Sequence, residues 1–401
     1  MTTAPIISNS DAALEITDVL RSVLDTGTPP FALHEPELTD VERRHVMQIL
    51  DEGFVSYAGR QVGQFEAELA KACGTSDAVA VVSGTAAIHV LLHALGIGPG
   101  QEVLCPALTF IATANAISHS GAMPHFVDCT QTDLGIDVAK LEEHLSRVAT
   151  RTPDGTVNKQ TKRRISAIMP VHVFGHIGDM DGIRRLAETW NLQVIEDATE
   201  SLGSSDKHGP SGSGGIAATL SFNGNKIVTT GGGGAVVTND RKLASRLKHI
   251  TTTAKLPHRW NFVHDEIAFN YRLPNINAAL GLAQMSRLSD MLNRKRRLAD
   301  RYREGFANAQ HWRFIDEPAG RSSNFWLNAV MLPEANAELL DNTLGHLHDA
   351  GFLCRPCWTP MHLMPMYADA PRDDLSMTES LAARIINLPS SPKLAGVPRD
   401  A

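Results

Sequence analysis

DAVAVVSGTAAIHVLLHALGIGPGQEVLCPA, residues 77–107, sets two apolar runs of strand length on either side of an apolar stretch with helical spacing. DAVAVVS reads as a buried strand, TAAIHVLLHALG as a helix and EVLCPA as a second strand. Strand, helix and strand in succession predict parallel pairing, because parallel strands need a long crossover, and such strands are apolar throughout because both faces are covered. Outward from this unit the alternation continues through strands at MPHFVDC, RISAIMPVHVF, LQVIEDA, AATLSF and GAVVTN, with helices at TANAISHSG, VAKLEEHLSRV and MDGIRRLAETW between them. The reading is an α/β domain built on a mostly parallel sheet of about seven strands.

Upstream, SDAALEITDVLRSVL (10–24) has apolar positions at helical spacing after a Ser/Asp start, and GTPP (27–30) ends it. ELTDVERRHVMQILDEG and QFEAELAKACG read as two further helices. Downstream, INAALGLAQMSRLSDMLNRKRRLADRYREGF (276–306) reads as one long helical segment leading to a strand in SNFWLNAVML and a helix in ANAELLDNTLGHLHDAG. The expected organisation is an N-terminal helical extension (1–30), a large α/β domain (31–275), and a linking helix with a small α+β C-terminal domain (276–401).

The chain of 401 residues is 43% hydrophobic, enough for a large core, and its net charge of −7 is spread along its length. Nothing in that balance favours nucleic acid or an anionic membrane as the main partner. No apolar run approaches the roughly 20 residues that cross a bilayer, and the first residues lack a charged segment followed by an apolar one, so a cytoplasmic protein is expected. Five cysteines are an odd number and argue against a disulfide framework. Cys354 and Cys357 have redox spacing but no second pair for zinc, and packed thiols are the preferred reading.

In an open α/β sheet, ligands collect at the carboxyl ends of the strands. Four such ends carry chemistry. After DAVAVV, Ser83, Gly84 and Thr85 open a helix whose N–H groups make an anion site, although an ordinary helix cap fits the same residues. LQVIEDATESLG brings Glu196 and Asp197 to the end of an apolar strand, where a carboxylate must find a partner or lose its charge. ATLSFNGNKIVTTGGGG puts Lys226 on a loop, five residues after Ser221. A shielded lysine amine is nucleophilic enough to condense with an aldehyde, whereas an exposed one is merely solvated. Phe110, after EVLCPALT, fits either the core or the face of a planar ligand. His89 and His93 stand four apart on a helix without a third ligand spaced to help, so no metal is expected.

Together SGTAA, LTFIATANAI, IEDATESLG, SFNGNKIVTTGGGG and FNYRLPNINAALGLAQ resemble the DegT-type sugar aminotransferases, pyridoxal-phosphate (PLP) enzymes of the aspartate-aminotransferase fold, fold type I. The likeness runs in order from about residue 31 to about 390. It implies Lys226 as the Schiff-base lysine, Asp197 on the pyridine nitrogen, Phe110 stacked on the ring, and Gly84, Thr85 and Ser221 at the phosphate. Glu200 takes a position near the ring hydroxyl that the family often gives to Gln or His. The FNYR-like motif implies that Asn270 reaches the cofactor phosphate of a partner subunit, with Arg272 pinning the segment, so that a homodimer is required.

LHEPEL, FVSYAGRQVGQFE, MPVHVFGH, TTTAK, HDEIAFNYRLPNIN and INLPSS are most similar to the branch acting in legionaminic acid and bacillosamine pathways. That branch implies L-glutamate as amino donor and a UDP-linked 2-acetamido-2,6-dideoxy-hexos-4-ulose, aminated at C4, as acceptor. Tyr57, Arg355, Trp358 and His362 lie in segments resembling the family's nucleotide-sugar contacts. Two rivals share the scaffold: a sugar dehydratase, which replaces the lysine with histidine, and a non-catalytic regulator. The stretch SSDKHGPSGSGGIAATLSF departs from the family's usual pattern and implies a reshaped loop there.

Overall fold

The computed structural model describes residues 9–25 and 27–396. Among these residues, the seven strands read from sequence form one sheet in the order Asp77–Val81, Gly234–Thr238, Ala217–Ser221, Gln193–Asp197, Arg164–Ile168, Gln101–Pro106, Met123–Val127. Only Gly234–Thr238 runs against its neighbours; the other six are parallel. The hairpin Ala149–Thr152 and Gly155–Asn158 adds two strands at the entry of Arg164–Ile168. Its residues ATRT and GTVN carry no apolar run, and sequence periodicity missed it.

The Asp77–Val81 strand explains why its sequence is apolar throughout. Val79 and Val81 pack with the helix Gly84–Ala94 on one face, while Ala78 and Ala80 pack with the helix Arg60–Ala72 on the other. The strands Asp77–Val81 and Gln101–Pro106, consecutive in the βαβ reading, have four other strands between them in the sheet. Local pattern predicted parallel strands but carried no information on which strands are neighbours.

The long helical segment is two helices, Asn275–Met285 and Leu288–Gly305. The break falls at Ser286 and Arg287, where the Arg287 guanidinium is drawn to Glu37 and Glu42. A second, antiparallel sheet of four short strands follows, in the order Arg313–Phe314, Asn328–Met331, Ile385–Leu388, Arg355–Pro356. The N-terminal helix Asn9–Val23 packs on this layer of its own chain: Ala12, Ile16 and Leu20 are fully buried against Leu298, Tyr302 and Leu347, and Trp312 Nε1 donates to the Ala12 carbonyl at 2.8 Å. Residues 1–8 of the expected extension lie outside the described residues.

All five cysteines are buried and free. Burial pushes the Cys73 and Cys129 thiols up to about 12 and those of Cys354 and Cys357 higher still, which leaves them inert. His89 and His93 set their ring edges against Phe269. No helix among the described residues is long and apolar enough to cross a membrane.

Candidate active site

The carboxyl ends of the parallel strands open into a cavity of about 650 Å³, closed from the other side by Trp326, Arg355, Trp358 and Asn387. Gly84, Thr85, Phe110, Asp197, Glu200, Ser221 and Lys226 all line it. Topology gathers them, since parallel strands point their carboxyl ends the same way and each contributes the residues that follow it.

The two acids at the end of Gln193–Asp197 part company because successive strand residues face opposite sides. Glu196 turns away from the cavity and accepts from His172 Nε2 (2.9 Å) and from the amides of Gly212, Gly214 and Gly215. It thereby anchors the loop that sequence marked as unusual, which carries a short hairpin at Ser205–Asp206 and Gly209–Pro210. Asp197 faces the cavity, nearly fully buried, and accepts from Thr113 Oγ1 (2.8 Å) and the Thr199 amide (3.2 Å). Thr109 Oγ1 pairs with Thr113 Oγ1 in turn (2.8 Å), so the carboxylate is held at the end of a hydroxyl chain.

Lys226 follows a turn closed by its own amide on the Asn223 carbonyl (2.9 Å). Its Nζ stands 3.5 Å from the centre of the Trp326 ring and 3.4 Å from Glu200 Oε1. Burial lowers the amine below its ordinary value, against the opposing pull of Glu200 and Asp197. The same burial raises Glu200 to about 7, opposed chiefly by Lys226. Glu200 is oriented by the Phe174 amide (2.9 Å), and Phe174 holds that amide in place with a left-handed φ of 56°. Lysine and acid thus share a pocket in which one proton has two nearby homes.

Where the strand ends meet the helix start, backbone approaches backbone. A Cβ on Gly234 would fall 2.4 Å from the carbonyl carbon of Ser83, and one on Gly84 would fall 3.0 Å from Ser221 Cβ. Ser83 caps the helix by accepting from the Ala86 amide (3.0 Å). Phe110 precedes the helix Ile111–His119 and keeps 54% of its surface exposed at the cavity, among largely buried neighbours.

These residues fit pyridoxal phosphate. The glycine-lined helix start with Thr85 and Ser221 suits a phosphate dianion, buried Asp197 suits a pyridinium N–H, and the lowered amine of Lys226 suits an aldehyde.

Three sequence-derived candidates are not in the lining. Tyr57 and Asn270 are exposed on the surface of the single chain, and His362 is buried outside the cavity with Nε2 paired to Glu379 (2.8 Å). Arg272 pairs with Glu66 (2.7 Å) next to the main-chain bridge that ties it to Val81. Arg355 and Trp358 do line the cavity, and Trp358 packs on the Phe174 ring at 5.1 Å.

Sequence reading missed Thr113, Trp326 and Asn387. Thr113 sits three residues after Phe110 near the start of a helix, on the same face, a spacing that was available to find it. Trp326 comes from a segment that read as a strand of a distant layer, and Asn387 from INLPSS, which had been used only for its family likeness. The fully buried Lys295, whose Nζ donates to the carbonyls of Trp326 (3.1 Å) and Ser390 (2.5 Å), was not singled out within the long helical segment.

Comparison with known proteins agrees with this geometry. The chain is 38% identical over 366 residues to a GDP-perosamine synthase of Caulobacter vibrioides, covering 90% of this chain and 93% of that one. It is 37% identical to the GDP-perosamine synthase of Escherichia coli O157:H7, at 90% and 94% coverage. Among solved structures, DesV of S. venezuelae superposes with a TM-score of 0.79 at 30% identity, over 92% of this chain and 95% of that one. An aminotransferase from Brucella abortus superposes with the same TM-score at 28% identity, over 89% and 94%. The sheet order, the cavity and these likenesses agree with the match of residues 36–399 to the DegT/DnrJ/EryC1/StrS aminotransferase family: the chain belongs to that family, has the fold-type-I architecture, and is a sugar aminotransferase that uses pyridoxal phosphate.

Proposed function

We propose that the protein transfers the amino group of L-glutamate to C4 of a nucleotide-linked 4-keto-6-deoxyhexose, with GDP as the nucleotide. The observation that carries the reaction type is the Lys226 amine, buried against Trp326 and within 3.4 Å of Glu200, in a cavity walled by Asp197 and Phe110. A lysine at this position supports transfer over the dehydratase reading, which calls for histidine. The nucleotide rests on the GDP-perosamine synthases named above, whose likeness spans 90% of the chain, and so departs from the UDP-sugar expected from the sequence phrases.

When bound, the cofactor supplies an electron sink for the carbon that loses and regains a proton. Lys226 moves that proton within each half of the reaction: its amine, lowered by burial, takes it from one carbon as base and delivers it to the other as acid. Glu200, poised near neutrality, takes up or gives back the balancing proton at 3.4 Å. Asp197 holds a positive N–H through its fixed carboxylate, and the hydroxyls of Thr113 and Thr109 keep that carboxylate aimed. Trp326 covers the Lys226 amine, and Phe110 offers its ring face to the cavity.

A homodimer completes the reading. Trp260, Phe262 and Ile267 are 68%, 79% and 90% exposed on the same 252–270 segment as exposed Asn270, an apolar surface suited to a second copy that brings Asn270 to the partner's phosphate site.

Purified protein supplied with PLP is expected to develop a visible cofactor absorbance band that Lys226→Ala abolishes; absence of the band in the wild type sinks the assignment. Incubation with glutamate and a panel of GDP-, UDP- and dTDP-linked 4-keto-sugars is expected to give turnover with GDP sugars. Turnover with UDP sugars alone restores the base expected from sequence and overturns the one proposed.

A further inference from the structure

The small antiparallel sheet sets a residue with an unspent acceptor in the wall of the cavity. Asn387 is 3% exposed and lines the cavity, and its Oδ1 has no hydrogen-bond partner. The amide cannot simply be turned over, because Nδ2 donates to the Pro356 carbonyl (3.3 Å), and a flip would set oxygen against oxygen. A buried acceptor without a donor is costly and calls for an explanation.

Its place in the sheet supplies one. Asn387 lies directly opposite Arg355 on one side and Ala329 on the other, and directly opposed residues project from the same face. Arg355 is exposed and also lines the cavity. The row therefore offers an anion-binding guanidinium next to a buried acceptor, facing the Lys226 wall.

We infer that Asn387 is a specificity residue for the sugar, its Oδ1 accepting from a hexose hydroxyl while Arg355 meets the adjoining phosphate. This rests on the nucleotide-sugar reading above and adds the hydroxyl to it. A 4-keto-6-deoxyhexose offers donors only from its remaining hydroxyls, so the subsite selects for a hydroxyl within reach of the phosphate and leaves the ketone at the Lys226 end of the cavity.

The test measures binding of GDP against GDP-mannose, and of UDP against UDP-N-acetylglucosamine, by calorimetry on the PLP-loaded protein. The second pair keeps the result independent of the base. In the wild type the hexose is expected to tighten binding of at least one pair by about tenfold, and Asn387→Leu to erase that gain while the free nucleotide binds within about twofold of wild type. Asn387→Ser, which keeps an acceptor, is expected to recover part of it.

Glutamate-driven bleaching of the cofactor band is a half-reaction that needs no sugar, and it should proceed in Asn387→Leu with wild-type dependence on glutamate. The proposal is overturned if Asn387→Leu keeps the hexose increment, if nucleotide and conjugate weaken together, if the glutamate dependence shifts instead, or if the wild type has no increment with either pair. A normal band and glutamate bleaching beside any of these failures leaves the aminotransferase reading standing.

Discussion

Glu200 is the residue whose ionisation ties the site to pH. Burial lifts its carboxyl from 4.5 to about 7, so the folded protein retains a proton that the unfolded chain releases. The stability from that proton is fully present below pH 4.5 and is lost as pH rises through about 7. The thermal midpoint of cofactor-free wild type, measured against Glu200→Gln, should therefore fall between pH 5 and pH 8; a constant difference counts against the raised carboxyl. The variant should also lose one limb of the rate profile near neutrality, since the balancing proton has nowhere to reside. Lys226→Ala should remove both absorbance and transfer and, by deleting a buried amine next to Glu200, raise the carboxyl further.

At the scale of elements, the strand Gly234–Thr238 and the start of the helix Gly84–Ala94 touch backbone to backbone. Gly234→Ala drives a methyl into the Ser83 carbonyl at 2.4 Å and should cost about 1–3 kcal/mol in chemical denaturation, with weakened PLP retention. Ser83→Ala removes the cap on the Ala86 amide and should cost about 1 kcal/mol, a loss of stability larger than any change in the cofactor spectrum. The N-terminal helix is part of the C-terminal core rather than an appendage. Ile16→Ala, at a fully buried position against that core, should cost about 3 kcal/mol; a change below about 0.5 kcal/mol in urea melts would show the helix to be dispensable.

At the scale of the molecule, the dimer reading has a complementation test. If Asn270 serves the partner's site, Lys226→Ala and Asn270→Ala chains should each be inactive alone. Mixed after unfolding and refolding, they should recover up to about a quarter of wild-type activity, because half the dimers are mixed and one of their two sites is intact. No recovery would place Asn270 in its own chain's site or outside the chemistry. Replacing Phe262 and Ile267 with Asp should produce monomers by light scattering, with the Lys226 site incomplete.

Much was legible locally. The seven main strands, the helices between 84 and 190, and the cavity residues Gly84, Thr85, Phe110, Asp197, Ser221 and Lys226 could be located because apolar runs mark buried strands and ligands gather where those runs end. The helix Arg241–Thr251 was missed although Asp240 caps it and Leu243, Leu247 and Ile250 stand at helical spacing, whereas the edge hairpin at 149–158 and the break at Ser286 carried weaker signals, since a polar hairpin and a tertiary ion pair decide them. Sequence by itself determined that this chain makes a parallel sheet and which side chains stand at its carboxyl edge, because both follow from the period and polarity of neighbouring residues. Only the tertiary structure decided strand order, the parting of Glu196 from Asp197, and the approach of Trp326, Arg355 and Asn387 to Lys226, because contacts between residues a hundred or more positions apart depend on how layers pack.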